Sequence, residues 1–189
     1  MDASAVVEAL KHAVPAEAVE PSDAPDGLPT IYVTREHLVE TCRELRDRPE
    51  LGYAFAADMT AVDYMPREPR YEVVIHLASL GTAGFGDTPK RLRVKVRVPG
   101  NEPVMPTLSA IWPAMNWAER EVWDMFGIHF EGHPDIRRIL MPDDWEGHPA
   151  RKDYPVQITM TPKVYEPLQL TPQEFAKNVK ANREKAARE

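Results

Sequence analysis

The chain has 189 residues and a net charge of −7, and 43% of its residues are hydrophobic. This length fits one domain with an extension, and the apolar fraction is sufficient for a buried core. The acidic balance disfavours nucleic acid as a partner, because nucleic-acid-binding domains carry a basic surface. It also weakly disfavours direct adsorption to an anionic membrane surface. No apolar run approaches the roughly 18 residues that a membrane-spanning helix needs.

The N-terminal residues are acidic and lack a signal-peptide pattern. We therefore expect the chain in the cytosol, or bound to a membrane through another protein. The single cysteine, Cys42, excludes an intrachain disulfide. It also excludes an iron–sulfur cluster built from this chain alone, since such clusters need about four thiolates. Leu38, Cys42 and Leu45 share one face of a predicted helix, which favours a small buried hydrophobic side chain at Cys42.

The first part of the chain predicts helices and strands in alternation. A short helix is expected over 3–12 and a β-branched strand over 30–34. Thr34 can cap the next helix, which the sequence ends near Pro49. This order begins an α+β body that we place in residues 1–127.

Three further strands are expected over 51–64, 70–80 and 90–98. Glycines at 81, 84 and 86 predict a turn or flexible loop before the last of them. That strand alternates strictly, so one face is buried and its four cations form a solvated face or a docking surface for an acidic partner. The fold class is therefore α+β, with a mostly antiparallel sheet and helices on one side. The alternating apolar residues are Leu92, Val94, Val96 and Val98, and the cations are Arg91, Arg93, Lys95 and Arg97.

A charged amphipathic helix closes the body. Asn116 and Glu119 have the spacing of a capping box, and Gly127 supplies a C-terminal stop. Arg120 and Asp124 are four residues apart and can pair along the helix. The spacing favours a solvated charged face opposite an apolar stripe.

A long irregular C-terminal arm is expected over 128–170. Prolines recur through it and resist helix or central-strand pairing, yet it also carries many apolar residues. Exposed apolar residues need another surface to cover them, so the sequence favours an arm that wraps a partner over one that folds back or is disordered. Residues 171–189 are expected to form a short helix or a flexible tail, with Thr171, Pro172 and Glu174 as opening signals.

Histidines and aspartates in the arm invite a metal-site interpretation. His129 and His133 lie beyond the helix stop, so they cannot use the geometry of a histidine pair on one helical face. A metal-dependent hydrolase using this cluster is kept as an alternative of another class. No nucleophile motif and no glycine-rich nucleotide-binding motif accompanies the acidic residues. The candidate ligands are His129, His133, His148, Asp135, Asp143 and Asp144.

The segment 119–155 closely resembles the signature of the C subunit (NuoC family) of the proton-pumping NADH:quinone oxidoreductase, respiratory complex I. The resemblance begins at the E-R-E run and ends in a stretch that reads MPDDWEGHPARKDYP, in which Ala150 departs from the larger apolar residue expected there. Its specificity is high because many fixed positions match across the segment. The matching positions before that stretch are Glu119, Arg120, Glu121, Asp124, Met125, Phe126, His133, Arg137, Ile139 and Leu140.

The resemblance implies a non-redox structural subunit of the hydrophilic arm of the complex, bound to the D subunit beside the quinone site. It implies no catalytic, cofactor or metal residue in this chain, with FMN and iron–sulfur clusters carried by other subunits. It further implies contacts with the B subunit and a peripheral location on the cytoplasmic face of the cell membrane. A homologous subunit of a membrane-bound hydrogenase or of a dehydrogenase with another donor is the alternative. The expected partner interface comprises Glu119, Arg120, Glu121, Asp124, His133, Arg137, Arg138, Asp143, Asp144, Arg151, Lys152, Asp153 and Tyr154.

Overall fold

The computed structural model describes residues 2–81, 89–155, 171, 173–177 and 180. The chain divides into one compact unit from Met1 to Pro155 and a second from Val156 to Glu189. The described part of the first unit has three α-helices: α1 (Ala3–Leu10), α2 (Leu38–Asp47) and α3 (Met115–Phe126). Its strands are β1 (Val19–Ser22), β2 (Thr30–Val33), β3 (Phe55–Asp63), β4 (Tyr71–Leu80), β5 (Pro89–Val98), β6 (Val104–Pro106) and β7 (His129–Glu131).

Five strands form the main sheet in the order β1-β2-β5-β4-β3. The β1–β2, β5–β4 and β4–β3 pairs are antiparallel, and β2 and β5 run parallel. β6 and β7 form a separate parallel pair, which brings the residues just after α3 beside the loop that precedes it. The expectation of an α+β fold with a mainly antiparallel sheet is confirmed.

One face of the sheet forms the core. Ile31, Val94, Ile75 and Met59 are in register across β2, β5, β4 and β3, and all four are buried. Apolar residues of all three helices belong to the same cluster, including Cys42. Burial raises the pKa of the Cys42 thiol far above its ordinary value, so this side chain acts as a small hydrophobic group.

The other face of the sheet carries the cations of β5, most of them paired within the chain. Arg93 contacts Asp26, Lys95 contacts Glu72 and Arg97 contacts Glu20. The Arg97 guanidinium also lies 3.9 Å from the centroid of the Tyr32 ring. A solvated face with its own ion pairs accounts for the alternation of β5.

Several element boundaries differ from the sequence expectations. β3 begins at Phe55 rather than at residue 51, although Leu51 is fully buried. The Thr34 side chain makes no capping hydrogen bond, and a 3₁₀ turn over Arg35–His37 leads into α2 instead. Gly81 has a φ of +67°, as a turn requires, while residues 84 and 86 lie outside the described residues.

Residues 128–155 lie within the compact unit, so that unit does not end at 127 as the sequence predicted. The rest of the arm expected over 128–170, from residue 156 to residue 170, lies outside the described residues. Residues 173–177 are helical, and Thr171 and Glu174 exchange the hydrogen bonds of a capping box. Among the residues that can be described, no helix is long and apolar enough to cross a membrane.

Candidate functional site

The charged helix α3 begins and ends by different means. Its N-cap residue, Ala114, has no side chain that could cap the helix, so the expected capping box between Asn116 and Glu119 is wrong. Its end was predicted correctly: Gly127 is left-handed with φ +76°. A Cβ atom there would lie 2.6 Å from the His148 ring, so glycine also permits close packing.

Asp124 organises the chain that follows α3. Its side chain is fully buried, and one carboxylate oxygen accepts hydrogen bonds from the backbone N–H groups of Ile139, Leu140 and Met141 at 2.9–3.0 Å. The other oxygen lies 2.5 Å from the Arg138 guanidinium. Burial alone raises the pKa of Asp124, but these donors outweigh it and hold the pKa below the ordinary value. The carboxylate is thus ionised and fixes the loop that covers it.

Two arginines complete the attachment of this loop. Arg138 also donates to the carbonyl oxygens of Trp145 and Gly147 at 2.6 and 3.1 Å. Arg120 donates to the carbonyl oxygens of Arg137 and Arg138 at 3.1 and 3.0 Å. The pairing of Arg120 with Asp124 along the helix, expected from their spacing, is therefore wrong. Both groups are buried by the segment folded over α3 rather than solvated.

A second anchor joins the end of this segment to the sheet. The Arg70 guanidinium bridges the carboxylates of Asp63, at 2.7 Å, and Asp153, at 2.8 Å. Asp63 also accepts the backbone N–H of Lys152 at 2.8 Å. Hydrogen bonds from Arg70 lower the pKa of Asp63 to about 2 against the opposing effect of burial. Arg70 and Arg151 likewise hold the pKa of Asp153 below its usual range.

Glu119 lies on a different side of α3 from the Asp124 site. Its enclosed carboxylate accepts the Thr107 hydroxyl at 2.5 Å and the Leu108 N–H at 2.6 Å. The His133 Nε2 atom lies 4.0 Å from this carboxylate and 3.0 Å from the carbonyl oxygen of Asn116. Burial raises the pKa of Glu119 to about 7, although the hydrogen bonds that it accepts act in the other direction.

Eleven of the thirteen predicted interface residues divide into two groups. One group holds the chain to itself, through the contacts just described. The other is exposed, and its role at a partner surface stays a prediction. The first group is Glu119, Arg120, Asp124, His133, Arg138 and Asp153, and the second contains Glu121, Arg137, Asp143, Asp144 and Lys152. Arg151 pairs with Asp153, and the Tyr154 hydroxyl donates to the Glu146 carbonyl oxygen at 3.3 Å.

Sequence reasoning missed one residue that holds the chain to itself and two that are exposed. Asp63 shares the buried register of β3 with Met59 and Ala61, so an acid at a core position was a usable signal of a buried ion pair. Trp117 is 66% exposed and Leu140 is 59% exposed. No signal in the sequence separates these two from the apolar residues that pack inward.

The possible metal ligands do not converge. The His148 Nδ1–H donates to the Asp124 carbonyl oxygen, the His133 Nε2–H donates to that of Asn116, and His129 is exposed. Within the described ranges, no group of three or more histidine, cysteine, aspartate or glutamate side chains is placed to hold a metal ion. The hydrolase alternative gains no support from this arrangement.

Comparison with known proteins identifies the family. Residues 31–159 match the model of the respiratory-chain NADH dehydrogenase 30 kDa subunit. The chain belongs to this family. The C subunit of an NADH-quinone oxidoreductase from Roseiflexus sp. (strain RS-1) is 46% identical over 156 residues, covering 82% of this chain and 86% of the relative. The resemblance seen in the signature segment therefore extends through the body of the chain.

One relative combines two subunits in a single polypeptide. The fused C/D subunit of an NADH-quinone oxidoreductase from Methylococcus capsulatus is 42% identical over 164 residues, which cover 83% of this chain and 27% of that longer protein. The matched region is thus one part of a larger polypeptide in that organism.

Two solved structures share the fold. A trypsin-resistant fragment (1–134) of Nqo5 has a TM-score of 0.56 and 37% identity, covering 71% of this chain and 99% of the fragment. A protein of the membrane-bound sulfane sulfur reductase, an archaeal respiratory membrane complex, has a TM-score of 0.65 and 27% identity, covering 81% of this chain and 85% of that one. The higher identity to the C subunits of NADH-quinone oxidoreductases favours that enzyme over such related complexes.

Proposed function

We propose that this chain is a non-redox structural subunit of the hydrophilic arm of the proton-translocating NADH:quinone oxidoreductase, and that it binds the D subunit beside the quinone site. Membership of the family supports its place in the complex. Its single cysteine cannot supply a four-thiolate cluster, and the proposal places FMN and the iron–sulfur clusters in other subunits on the strength of the family resemblance. The chain reaches the cytoplasmic face of the membrane only as part of the complex.

The fused C/D protein of Methylococcus capsulatus is the observation that carries the choice of the D subunit as principal partner. Fusion holds two modules at a high effective concentration, which suits modules that bind one another. The B subunit is a further neighbour in this proposal, on the strength of the family resemblance alone.

The surface that we assign to the D subunit lies along the outer side of α3 and the loop folded over it. We call it the α3 surface and define it by Trp117, Glu121, Arg137 and Leu140. Trp117 and Leu140 are large apolar side chains left exposed by the chain itself. Tryptophan and arginine are over-represented at the centres of interfaces, and exposed apolar side chains there need a covering partner.

The charged residues beneath this surface have a supporting role. Arg120 lies 5.5 Å from the Trp117 ring centroid while it holds the carbonyl oxygens of Arg137 and Arg138. Asp124 fixes the backbone of Leu140. A partner therefore meets a preformed surface and loses less conformational entropy on binding than it would with a flexible arm.

Substitution of Trp117 tests this proposal in the intact complex. If Trp117 is an interface hot spot, Trp117→Ala costs about 2 kcal/mol or more of assembly free energy, roughly a thirtyfold loss in affinity. The readout is the amount of assembled complex on native gels, beside quinone-reductase activity per FMN. Leu80→Ala is the matched control, because Leu80 is similarly exposed but lies at the end of β4.

We expect Trp117→Ala to lower the yield of complex and Leu80→Ala to leave it unchanged. Complexes that do assemble with Trp117→Ala keep near-normal activity per FMN. Full assembly with Trp117→Ala would show that the α3 surface is not part of the interface with the D subunit. Full assembly combined with lost activity would assign this residue a part in the chemistry.

A further inference from the structure

Among the described residues, Glu119 is a buried acid without a basic partner of permanent charge. Asp124, on the same helix, is also fully buried, but Arg138 neutralises it. Within the described residues, the only basic side chain within 4.0 Å of the Glu119 carboxylate is His133, and its side chain is also fully enclosed. The pair joins three parts of the chain: α3, the turn at 107–109 and the start of the segment that folds over α3.

The hydrogen bonds of His133 assign its protonation state. Its Nδ1 atom accepts the backbone N–H of Asp135 at 3.0 Å, so Nδ1 carries no proton. Its Nε2 atom then carries the proton and donates to the Asn116 carbonyl oxygen at 3.0 Å. The ring is neutral, and through these two bonds it ties residues 133–135 to α3. A second proton on the ring would place an N–H group against the N–H of Asp135.

Two hydroxyl groups connect Glu119 with half-buried residues. Thr107 lies 2.5 Å from the Glu119 carboxylate, and the Ser109 hydroxyl lies 2.8 Å from that of Thr107. Hydroxyl groups donate and accept, so this row can reverse its direction. With Glu119 ionised, Thr107 donates to it; with Glu119 protonated, Glu119 donates to Thr107 and Thr107 donates to Ser109. The site therefore accommodates both states and gives the proton a route out of the enclosed site.

We propose that Glu119 and His133 form a latch that holds residues 133–135 on α3 while Glu119 is protonated and releases them when its proton is lost. Loss of the proton leaves an enclosed negative charge 4.0 Å from His133. The carboxylate then keeps only the Thr107 and Leu108 donors, with no cation of permanent charge within 4.0 Å among the described residues. A proton passed from Glu119 to His133 would lie on Nδ1 and oppose the Asp135 N–H. The contact between the segment and the helix is therefore weakened.

The remaining charges near the pair do not substitute for His133. On α3, the Arg120 guanidinium points to the carbonyl oxygens of Arg137 and Arg138, and Glu121 is exposed. On the segment, the Asp135 carboxylate is exposed and pairs with Arg137. The neighbouring strand β7 contributes the exposed residues His129 and Glu131, and the turn at 107–109 carries no ionisable side chain. Burial of Glu119 raises its pKa to about 7, which places the switch near neutral pH.

Amide hydrogen exchange of the full-length chain tests the latch, because the Asp135 N–H is itself part of it. Protection of this amide, corrected for intrinsic exchange, should fall about tenfold as the pH rises through about 7. The Ile139 N–H is the internal control, since its acceptor Asp124 has a lowered pKa and stays ionised in this range. Glu119→Gln keeps an acceptor for Leu108 and cannot ionise, so its Asp135 protection should not change with pH. Glu121→Gln, on the exposed side of α3, should behave as the wild type.

Equal pH dependence of the Asp135 amide in the wild type and in Glu119→Gln would overturn the latch, as would no dependence in the wild type. If Glu119→Gln does not fold, NMR titration of the wild-type chain decides the matter. Two results together support the latch. The Glu119 carboxyl titrates near neutral pH, at the same pH at which the Asp135 amide loses its protection. Below that pH, the His133 ring carries its proton on Nε2. A midpoint at the ordinary glutamate value, or a proton on His133 Nδ1 throughout, refutes it.

Discussion

Replacement of Asp124 by alanine should strongly destabilise the isolated chain. The substitution leaves three backbone N–H groups and the Arg138 guanidinium without their acceptor. Breaking a buried ion pair from one side costs about 3–5 kcal/mol. We place this case at the lower end, about 3 kcal/mol, because Arg138 is 13% exposed and keeps two carbonyl acceptors. That is a large fraction of the roughly 5–15 kcal/mol by which domains are stable.

Urea unfolding of the purified chain, followed by tryptophan fluorescence, measures the effect. Asp143→Ala is the control, since Asp143 is an exposed carboxylate in the same folded segment, and its free energy of unfolding should stay within about 0.5 kcal/mol of the wild type. Asp124→Asn keeps the shape and one acceptor, so we expect about half the loss. It also serves as the folded variant if Asp124→Ala does not fold.

The pH dependence of the same experiment has a definite sign. The pKa of Asp124 is lowered in the folded chain, so its stabilisation is present above the unfolded value of about 3.9 and is lost as the pH falls through the lower folded value. The difference in free energy of unfolding between the wild type and Asp124→Asn should therefore decrease at acidic pH. If Asp124→Ala lowers the free energy of unfolding by less than about 1 kcal/mol at neutral pH, the carboxylate does not fix the conformation of the loop.

Three other outcomes are expected. Arg70→Met leaves the enclosed Asp63 carboxylate without its cation, so urea unfolding should show a loss of about 3 kcal/mol, against less than about 0.5 kcal/mol for the exposed Arg67→Met. The raised pKa of Glu119 means that its stabilisation is full below the unfolded value and is lost as the pH rises through about 7. The wild type should therefore lose up to about 3 kcal/mol of its free energy of unfolding between mildly acidic and alkaline pH, and Glu119→Gln should not. An equal loss in the wild type and in Glu119→Gln would contradict this expectation. The purified chain alone should contain no stoichiometric iron or flavin and should not oxidise NADH, as metal analysis and visible spectra would show.

The sheet was predictable because buried and exposed side chains alternate every two residues along a strand, a pattern that a short stretch of sequence shows. Alternation in β5 places Val94 and Val96 inward and Arg93 and Lys95 outward, and the structure has them so. The short strands β1, β6 and β7 escaped prediction because three or four residues cannot establish a period and, unlike β2, they carry no run of β-branched residues. Their pairing depends on which segments the rest of the fold brings side by side.

The environment of α3 could not be predicted in the same way. Helical spacing correctly put Arg120 and Asp124 on one side of the helix, and a charged side is normally solvated. The chain that buries it is irregular, and an irregular segment carries no periodicity that indicates which face it covers. Its proline content indicated only that it would be neither helix nor central strand.

The division of the signature residues changes what they can be expected to do. Glu119, Arg120, Asp124 and Arg138 direct their hydrogen bonds to this chain's own backbone and side chains. A side chain whose polar atoms are already engaged gains little from a partner, and breaking its contacts would cost more than a new ion pair contributes. The motif that marks the family therefore acts first on the fold, by fixing the segment over α3. We therefore expect partner recognition to depend on what that fold leaves outside, which on α3 is Trp117 and Glu121.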